Sequence, residues 1–87
     1  AYFTNCTFEN VLRPYGDTTL TNCTFTTAGL DVSALENDET ITLINCTYNG
    51  VLVEKAVLTA NSGEITITEN DLIVVDANKQ VVLKNNG

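Results

Sequence analysis

The 87-residue sequence contains no histidine, tryptophan or methionine, one proline, and four positively charged residues against eleven acidic ones. Without histidine, the chain lacks the side chain that most often acts as a general base and that activates catalytic cysteines. The net charge of −7 argues against binding to a nucleic-acid backbone or an anionic membrane, because both require clustered Lys and Arg. These absences favour a structural or binding role over catalysis.

The residues that are abundant favour β-structure. Val, Ile, Leu and Thr dominate the sequence, and β-branched residues fit a pleated, half-buried surface. No window of 11–18 residues shows the periodicity of an amphipathic helix. No apolar run approaches the roughly 18 residues of a membrane span. The sequence therefore predicts a single all-β domain that comprises residues 1–87, with a core of modest size.

A short phrase recurs along the chain. It occurs three times, as Asn5-Cys6-Thr7-Phe8, Asn22-Cys23-Thr24-Phe25 and Asn45-Cys46-Thr47-Tyr48. A large apolar residue stands two places before the Asn, and two weaker copies extend the series: Phe3, Leu20, Leu43, Ile67 and Leu83. The spacings of 17, 23, 24 and 16 residues reach the range in which internal repeats indicate solenoids.

Two β folds account for these patterns. In a short parallel β-helix or solenoid of about four coils, equivalent residues stack at ~4.8 Å and form columns of Asn, Cys and aromatic residues. In an antiparallel β-sandwich or barrel, Asn49-Gly50 is the turn of a hairpin between apolar runs. We favour the solenoid because it explains the recurring phrase, and the antiparallel fold remains the alternative.

The phrases resemble the coils of right-handed parallel β-helix proteins of the pectin-lyase-like type. The resemblance implies that an Asn near each coil corner stacks into a ladder of side-chain amides, which satisfy one another's donors and acceptors. Free Cys is small and apolar, so it suits an inward-facing column. The expected structural ladder comprises Asn5, Asn22, Asn45, Cys6, Cys23 and Cys46.

The phrase also invites chemical interpretations. An odd number of cysteines leaves one unpaired, and no CxxC pattern indicates zinc. We expect buried free thiols, with one disulfide between neighbouring coils as the alternative. Each phrase is a formal N-glycosylation sequon. If the Asn residues form a ladder, they face away from a glycan-transferring enzyme, and the sequons are by-products of the repeat; glycans on a secreted protein are the alternative.

The acidic residues do not form a recognisable active site. β-Helix polysaccharide lyases combine an acidic calcium cluster with a basic residue, whereas Arg13 and Lys55 have no acidic cluster beside them in sequence. Neither residues 36–39 nor residues 69–71 match an EF-hand loop. We therefore expect no enzyme, no cofactor and no metal site.

A short solenoid exposes unpaired backbone and apolar core at its ends, so it requires a cap or a partner. The amino end is apolar, and candidate partner contacts are Ala1, Tyr2, Phe3 and Tyr15. In size, acidity and β composition, the chain is similar to the decoration or cement proteins of tailed-phage capsids, and in fold to trimeric tailspikes.

This second resemblance implies a non-enzymatic virion protein that stabilises a phage head from the outside. Its partners would be the major capsid protein or other virion subunits, with a homo-oligomer expected and a trimer favoured, and with neither nucleic acid nor membrane bound. The alternative is a glycan- or surface-binding β-helix module of an adhesin or tailspike. That alternative places the chain outside the cell or at its surface.

Overall fold

The computed structural model describes residues 1–84, which form β-strands and connecting turns. Seven strands make one curled sheet, and the last two make a separate hairpin. This confirms the all-β prediction. None of the described residues belongs to a helix able to cross a membrane. The strands in chain order are β1 (Tyr2–Thr4), β2 (Thr7–Phe8), β3 (Thr18–Thr21), β4 (Thr24–Phe25), β5 (Thr40–Tyr48), β6 (Val51–Asn61), β7 (Glu64–Thr68), β8 (Ile73–Val75) and β9 (Val81–Leu83).

The three strong copies of the phrase lie side by side in parallel. β1, β3 and β5 pair so that Phe3 is opposite Leu20 and Leu20 is opposite Leu43. β2 pairs in parallel with β4, and β4 pairs with the second half of β5. An isolated parallel bridge joins Leu12 to Leu30. The first two turns of the chain therefore stack on each other at three points, and the two strand pairs have the 17-residue register that the repeat predicts.

Each Asn of the phrase marks a corner of the backbone. Asn5, Asn22 and Asn45 have φ angles of 58°, 55° and 49°, which lie in the left-handed region that Asn tolerates better than most residues. In the first two copies of the phrase the corner separates two short strands, β1 from β2 and β3 from β4. The backbone conformation is thus one physical reason for the recurring Asn.

The direction of the sheet reverses after β5. Asn49 and Gly50 both have positive φ angles, 50° and 89°, as a two-residue type I′ hairpin turn requires. β6 then runs back along β5, from the pair Tyr48–Val51 to the pair Thr40–Thr59. The hairpin that was the basis of the alternative fold is therefore present, next to the parallel half of the chain.

The two weaker copies of the phrase do not extend the parallel stack. Ile67 lies in β7 and pairs with Leu58 in antiparallel orientation. Leu83 lies in β9 and pairs with Ile73 of β8, again antiparallel. The expectation that five equivalent positions stack is therefore wrong for the last two, because β6 lies between β5 and β7 and because β9 belongs to a separate hairpin.

The core contains the predicted aromatic column. The ring centroids of Phe8 and Phe25 are 5.1 Å apart, and those of Phe25 and Tyr48 are 5.2 Å apart. The Tyr48 hydroxyl accepts a hydrogen bond from the Leu30 N–H at 2.8 Å and donates one to the Val81 carbonyl at 2.5 Å. The column thereby connects the parallel stack to the start of β9.

Candidate functional site

The parallel stack has one covered side and one open side. On the covered side, β6 pairs with β5 along its length. On the other side, β1 and β2 pair with β3 and β4, and no further strand of residues 1–84 lies beside them. We name the unpaired side of residues 2–8 the open edge. An unpaired strand edge is a template for another strand.

The backbone of the open edge offers unpaired hydrogen-bonding groups. Residues of a strand point their peptide groups alternately to the two sides. The Ala1 carbonyl accepts from the Thr19 N–H at 2.9 Å, and the Cys6 carbonyl accepts from the Thr24 N–H at 2.8 Å. Ala1 and Cys6 therefore face the stack, as does Asn5, whose N–H donates to the Thr21 carbonyl. The residues that alternate with the stack-facing ones point their peptide groups outwards. The outward-facing residues are Tyr2, Thr4 and Thr7.

The side chains of the open edge are uncharged, and three of the seven are aromatic. Tyr2 is 86% exposed. The ring of Phe3 contacts the ring of Phe8 edge-on, with centroids 5.5 Å apart. Phe25 and Tyr48 are fully buried, whereas Phe3 and Phe8 are only partly buried. The aromatic column therefore reaches the open edge without being covered there.

The cysteine thiols form a ladder of hydrogen bonds between successive turns. The Cys46 Sγ lies 3.2 Å from the Leu20 carbonyl, and the Cys23 Sγ lies 3.5 Å from the Phe3 carbonyl. Cys6 occupies the third position, where residues 1–84 supply no carbonyl of a preceding turn. All three thiols are free; Cys23 and Cys46 are buried and Cys6 is half-buried. Burial raises the pKa of the Cys46 thiol.

The Asn residues of the expected ladder lie on the outside of the stack. Asn5, Asn22 and Asn45 are all exposed, and no hydrogen bond shown for residues 1–84 joins two of their side-chain amides. The expectation that they face away from a glycan-transferring enzyme is therefore wrong. Their left-handed φ angles place them at the corner, while the neighbouring cysteines face the interior.

The sheet has a second edge, β7, whose surroundings differ. The carboxylate of Glu69, at the end of β7, pairs with the Lys55 ammonium at 3.2 Å. The Lys79 ammonium donates a hydrogen bond to the Gly63 carbonyl in the turn before β7. Charged side chains and covering contacts are the means by which proteins protect sheet edges. The open edge has neither within residues 2–8.

Tyr15 lies in a separate depression. Tyr15 is 74% exposed, and the Arg13 guanidinium carbon lies 5.6 Å from the centroid of its ring. Glu36 and Glu39 line the same depression of about 510 Å³, and the Glu39 carboxylate accepts a hydrogen bond from the Glu36 N–H at 2.7 Å. The sequence did not indicate this group, because Arg13 and Tyr15 lie more than 20 residues before Glu36 and Glu39. The depression shares no lining residue with the open edge.

No group of three His, Cys, Asp or Glu side chains within residues 1–84 is placed to hold a metal ion. Comparison with protein-family models, with curated proteins and with solved structures found no match. The open edge is the feature whose chemistry is most specific, because backbone groups, thiols and aromatic rings all end there.

Proposed function

We propose that the protein is a non-enzymatic structural protein that attaches to a larger assembly through the open edge. The assembly is a viral capsid, which the protein decorates and stabilises from the outside. The observation that carries the proposal is an uncharged parallel-sheet edge, residues 2–8, beside a fully covered opposite side. Such an edge leaves backbone groups and apolar surface available to a partner.

The energetics favour attachment at this edge. A chain of 87 residues buries a limited core, and oligomerisation is a common remedy at this size. Complete burial of an apolar side chain such as Phe contributes about 1.5–3 kcal/mol. Phe3 and Phe8 are only partly buried and Tyr2 is exposed, so a covering strand would stabilise both the protein and the assembly.

The finer fold belongs to the same proposal. We infer that β1 to β5 are a segment of parallel β-helix that the partner extends. The pairing of Phe3 with Leu20, and the separate parallel bridge between Leu12 and Leu30, support this inference. The antiparallel strands β6 and β7 then act as the cap at the other end of the segment.

The capsid setting is supported by size, acidity and β architecture, the features in which the chain is similar to decoration proteins. The net charge of −7 disfavours contact with packaged nucleic acid and thus agrees with a position on the outside. The homo-trimer expected from the sequence stays a prediction, which native mass spectrometry of the purified protein tests.

The experiment is a binding assay with virus particles purified from the natural source. Particles that have been stripped of the protein are incubated with the wild type, with Tyr2→Lys, and with Leu52→Lys as a matched control on β6. Leu52 is 52% exposed and lies outside the open edge. We expect Tyr2→Lys to lose at least ~90% of occupancy, since a buried unpaired charge costs several kcal/mol. Equal occupancy of the two variants would contradict the proposal. So would the absence of the protein from the particles as they are purified from the natural source.

The depression at Tyr15 supports a second candidate, a glycan-binding module of an adhesin or tailspike. It combines an exposed aromatic ring with the polar groups of Arg13, Glu36 and Glu39, the mixture that orients small polar ligands in concave sites. A screen of immobilised glycans tests this candidate. Binding that is lost in Tyr15→Ala and kept in Tyr2→Ala would support it, and no binding of the wild type would exclude it.

A further inference from the structure

We propose that Asn5, Asn22 and Asn45, which we name the corner column, are attachment sites for N-linked carbohydrate, and that two neighbouring corners do not carry it at once. The inference goes beyond the proposed function and does not depend on what lies beside the open edge. It is drawn from three observations: the residues that follow each Asn, the exposure of the three side chains, and their spacing in the stack.

The sequons of the chain coincide with the corners of the backbone. Each Asn of the corner column is followed by Cys and Thr, and none of the other eight asparagines has Ser or Thr two places later. The Thr is the part of the sequon that makes the Asn an acceptor of carbohydrate. The same acceptor group therefore occurs three times, each time where a left-handed φ angle turns the backbone.

The side chains of the corner column have room for a large substituent. All three are exposed, whereas the Cys that follows each of them is buried or half-buried. Within residues 1–84, the side-chain oxygens of Asn37 and Asn70 accept hydrogen bonds from backbone N–H groups, but the amides of the corner column have no such partner. A glycan on these amides therefore breaks no side-chain hydrogen bond of the described fold.

The reaction is a transfer from an activated sugar donor. The donor is an oligosaccharide that is joined through its anomeric carbon to a polyprenyl diphosphate, and a transferase of the host supplies it. The Asn amide nitrogen forms a bond to the anomeric carbon, the bond from that carbon to the diphosphate oxygen breaks, and the diphosphate leaves with the electron pair. A base of the transferase takes one proton from the amide nitrogen. The chain contributes the acceptor and needs no catalytic residue of its own.

The free thiols are compatible with this modification. Sequons are used in secreted and surface proteins, which meet oxidising conditions. Oxidation of a cysteine requires an accessible thiolate. Cys23 and Cys46 are buried, and burial raises the pKa of the Cys46 thiol. These two thiols can therefore remain reduced next to a modified Asn.

The stacking limits how many corners are occupied. The register places Asn22 between Asn5 and Asn45 on successive turns, at ~4.8 Å from each. One contact between non-bonded carbon atoms already takes up about 3.5–4.0 Å, so two sugar rings with their substituents collide on neighbouring corners. Asn5 and Asn45 are ~9.6 Å apart, which is twice the strand spacing. A doubly modified molecule therefore carries its glycans on Asn5 and Asn45.

The test is mass spectrometry of the protein purified from its natural source. The intact mass counts the glycans on each molecule, and digestion with a peptide N-glycosidase in heavy-oxygen water converts each occupied Asn to labelled Asp. Asn49 is the internal control, because it is exposed and has a φ angle of 50° but lacks the Thr. We expect label in the corner column, none at Asn49, and no label at Asn22 in molecules that carry two glycans.

Two substitutions separate the sequon from the backbone conformation. Both variants are produced in the natural source: Thr47→Val keeps a β-branched side chain and removes the hydroxyl, whereas Thr47→Ser keeps the hydroxyl. We expect the label at Asn45 to fall at least ~10-fold in Thr47→Val and to stay within about twofold of the wild type in Thr47→Ser, because only the second variant keeps the sequon.

Unmodified Asn at all three corners of the natural protein would overturn the proposal. So would equal labelling of Asn45 in the two variants. Three glycans on one molecule, or two glycans on neighbouring corners, would overturn the limit that the spacing sets. The binding of Tyr2→Lys to stripped particles is measured independently, so these results and the fate of the proposed function are distinguishable.

Discussion

The phenol oxygen of Tyr48 occupies the space that a β-carbon on Gly29 would require. The hydroxyl reaches this position because it bridges the Leu30 N–H and the Val81 carbonyl. Gly29 is therefore needed for close approach and not for an unusual φ angle. This contact connects the aromatic column to the loop that precedes Leu30, the residue bridged to Leu12. We therefore expect substitutions at Gly29 and Tyr48 to change the stability of the parallel half.

Substitution Gly29→Ala should destabilise the protein by about 1–3 kcal/mol, the usual cost of overpacking a core. Urea unfolding measures the change, with Thr27→Ala, an exposed neighbour, as the control expected to be near neutral. The double variant with Tyr48→Phe should be less destabilised than the sum of the single variants, since the oxygen that clashes is removed. Strict additivity would show that the two residues do not share this space.

Removal of the Tyr48 hydroxyl should also be costly by itself. Tyr48→Phe leaves the Leu30 N–H and the Val81 carbonyl without their partner in a buried site, and an unsatisfied buried group costs about 1–3 kcal/mol. The exposed Tyr2 provides the control, because Tyr2→Phe removes a hydroxyl that is in water. Equal unfolding free energies for the two variants would refute the structural role of the hydroxyl.

Alkaline pH should unfold the protein through the same region. Burial raises the pKa of the Tyr48 phenol and of the Cys46 thiol. The unfolded groups ionise at about pH 10 and 8.5, so their contribution to stability is complete below those values and is lost as the pH rises through the higher folded values. Unfolding free energies measured between pH 7 and 11 should fall less steeply in Tyr48→Phe and Cys46→Ala than in Tyr15→Phe. Three identical slopes would contradict this assignment.

Substitutions of Asn22 distinguish two roles of the corner Asn: its tolerance of a left-handed backbone conformation and contacts of its side-chain amide. Asn22 has a φ angle of 55°, which costs a residue with a β-carbon about 1–2 kcal/mol and costs glycine little. Asn22→Ala should therefore lose about 1 kcal/mol in urea unfolding, and Asn22→Gly should lose less. If both variants lost the same large amount, side-chain amide contacts would carry the stability instead.

The sequence predicted the parallel half of the fold better than the rest. The register of Phe3, Leu20 and Leu43 followed from the repeat, because stacked strands place equivalent residues next to each other. The orientation of Ile67 could not be predicted, since a Thr-Ile-Thr alternation is the same in parallel and antiparallel strands. Glu69, directly after β7, even has a corner-like φ of 65°, although β7 pairs with β6 in antiparallel orientation.

The candidate sites also differ in how far the sequence indicates them. The exposure of Tyr2 could be expected from the sequence, because a large aromatic residue near the amino end was recognisable there; its contact with a partner stays a prediction. The grouping of Arg13 with Glu36 and Glu39 was not visible, since it depends on how two loops meet in the fold. The outward position of the corner Asn was also hidden, because their left-handed φ angles are a property of the folded backbone.

Hydrogen exchange at the open edge tests the central claim most directly. The outward-facing amides of Tyr2, Thr4 and Thr7 are measured in the isolated protein and in purified particles that carry it. If the open edge is the attachment surface, these amides exchange rapidly in the isolated protein and at least ~100-fold more slowly in the particles, as expected for newly paired strand amides. Equal exchange rates at all three positions in the two samples would show that the protein attaches through another surface.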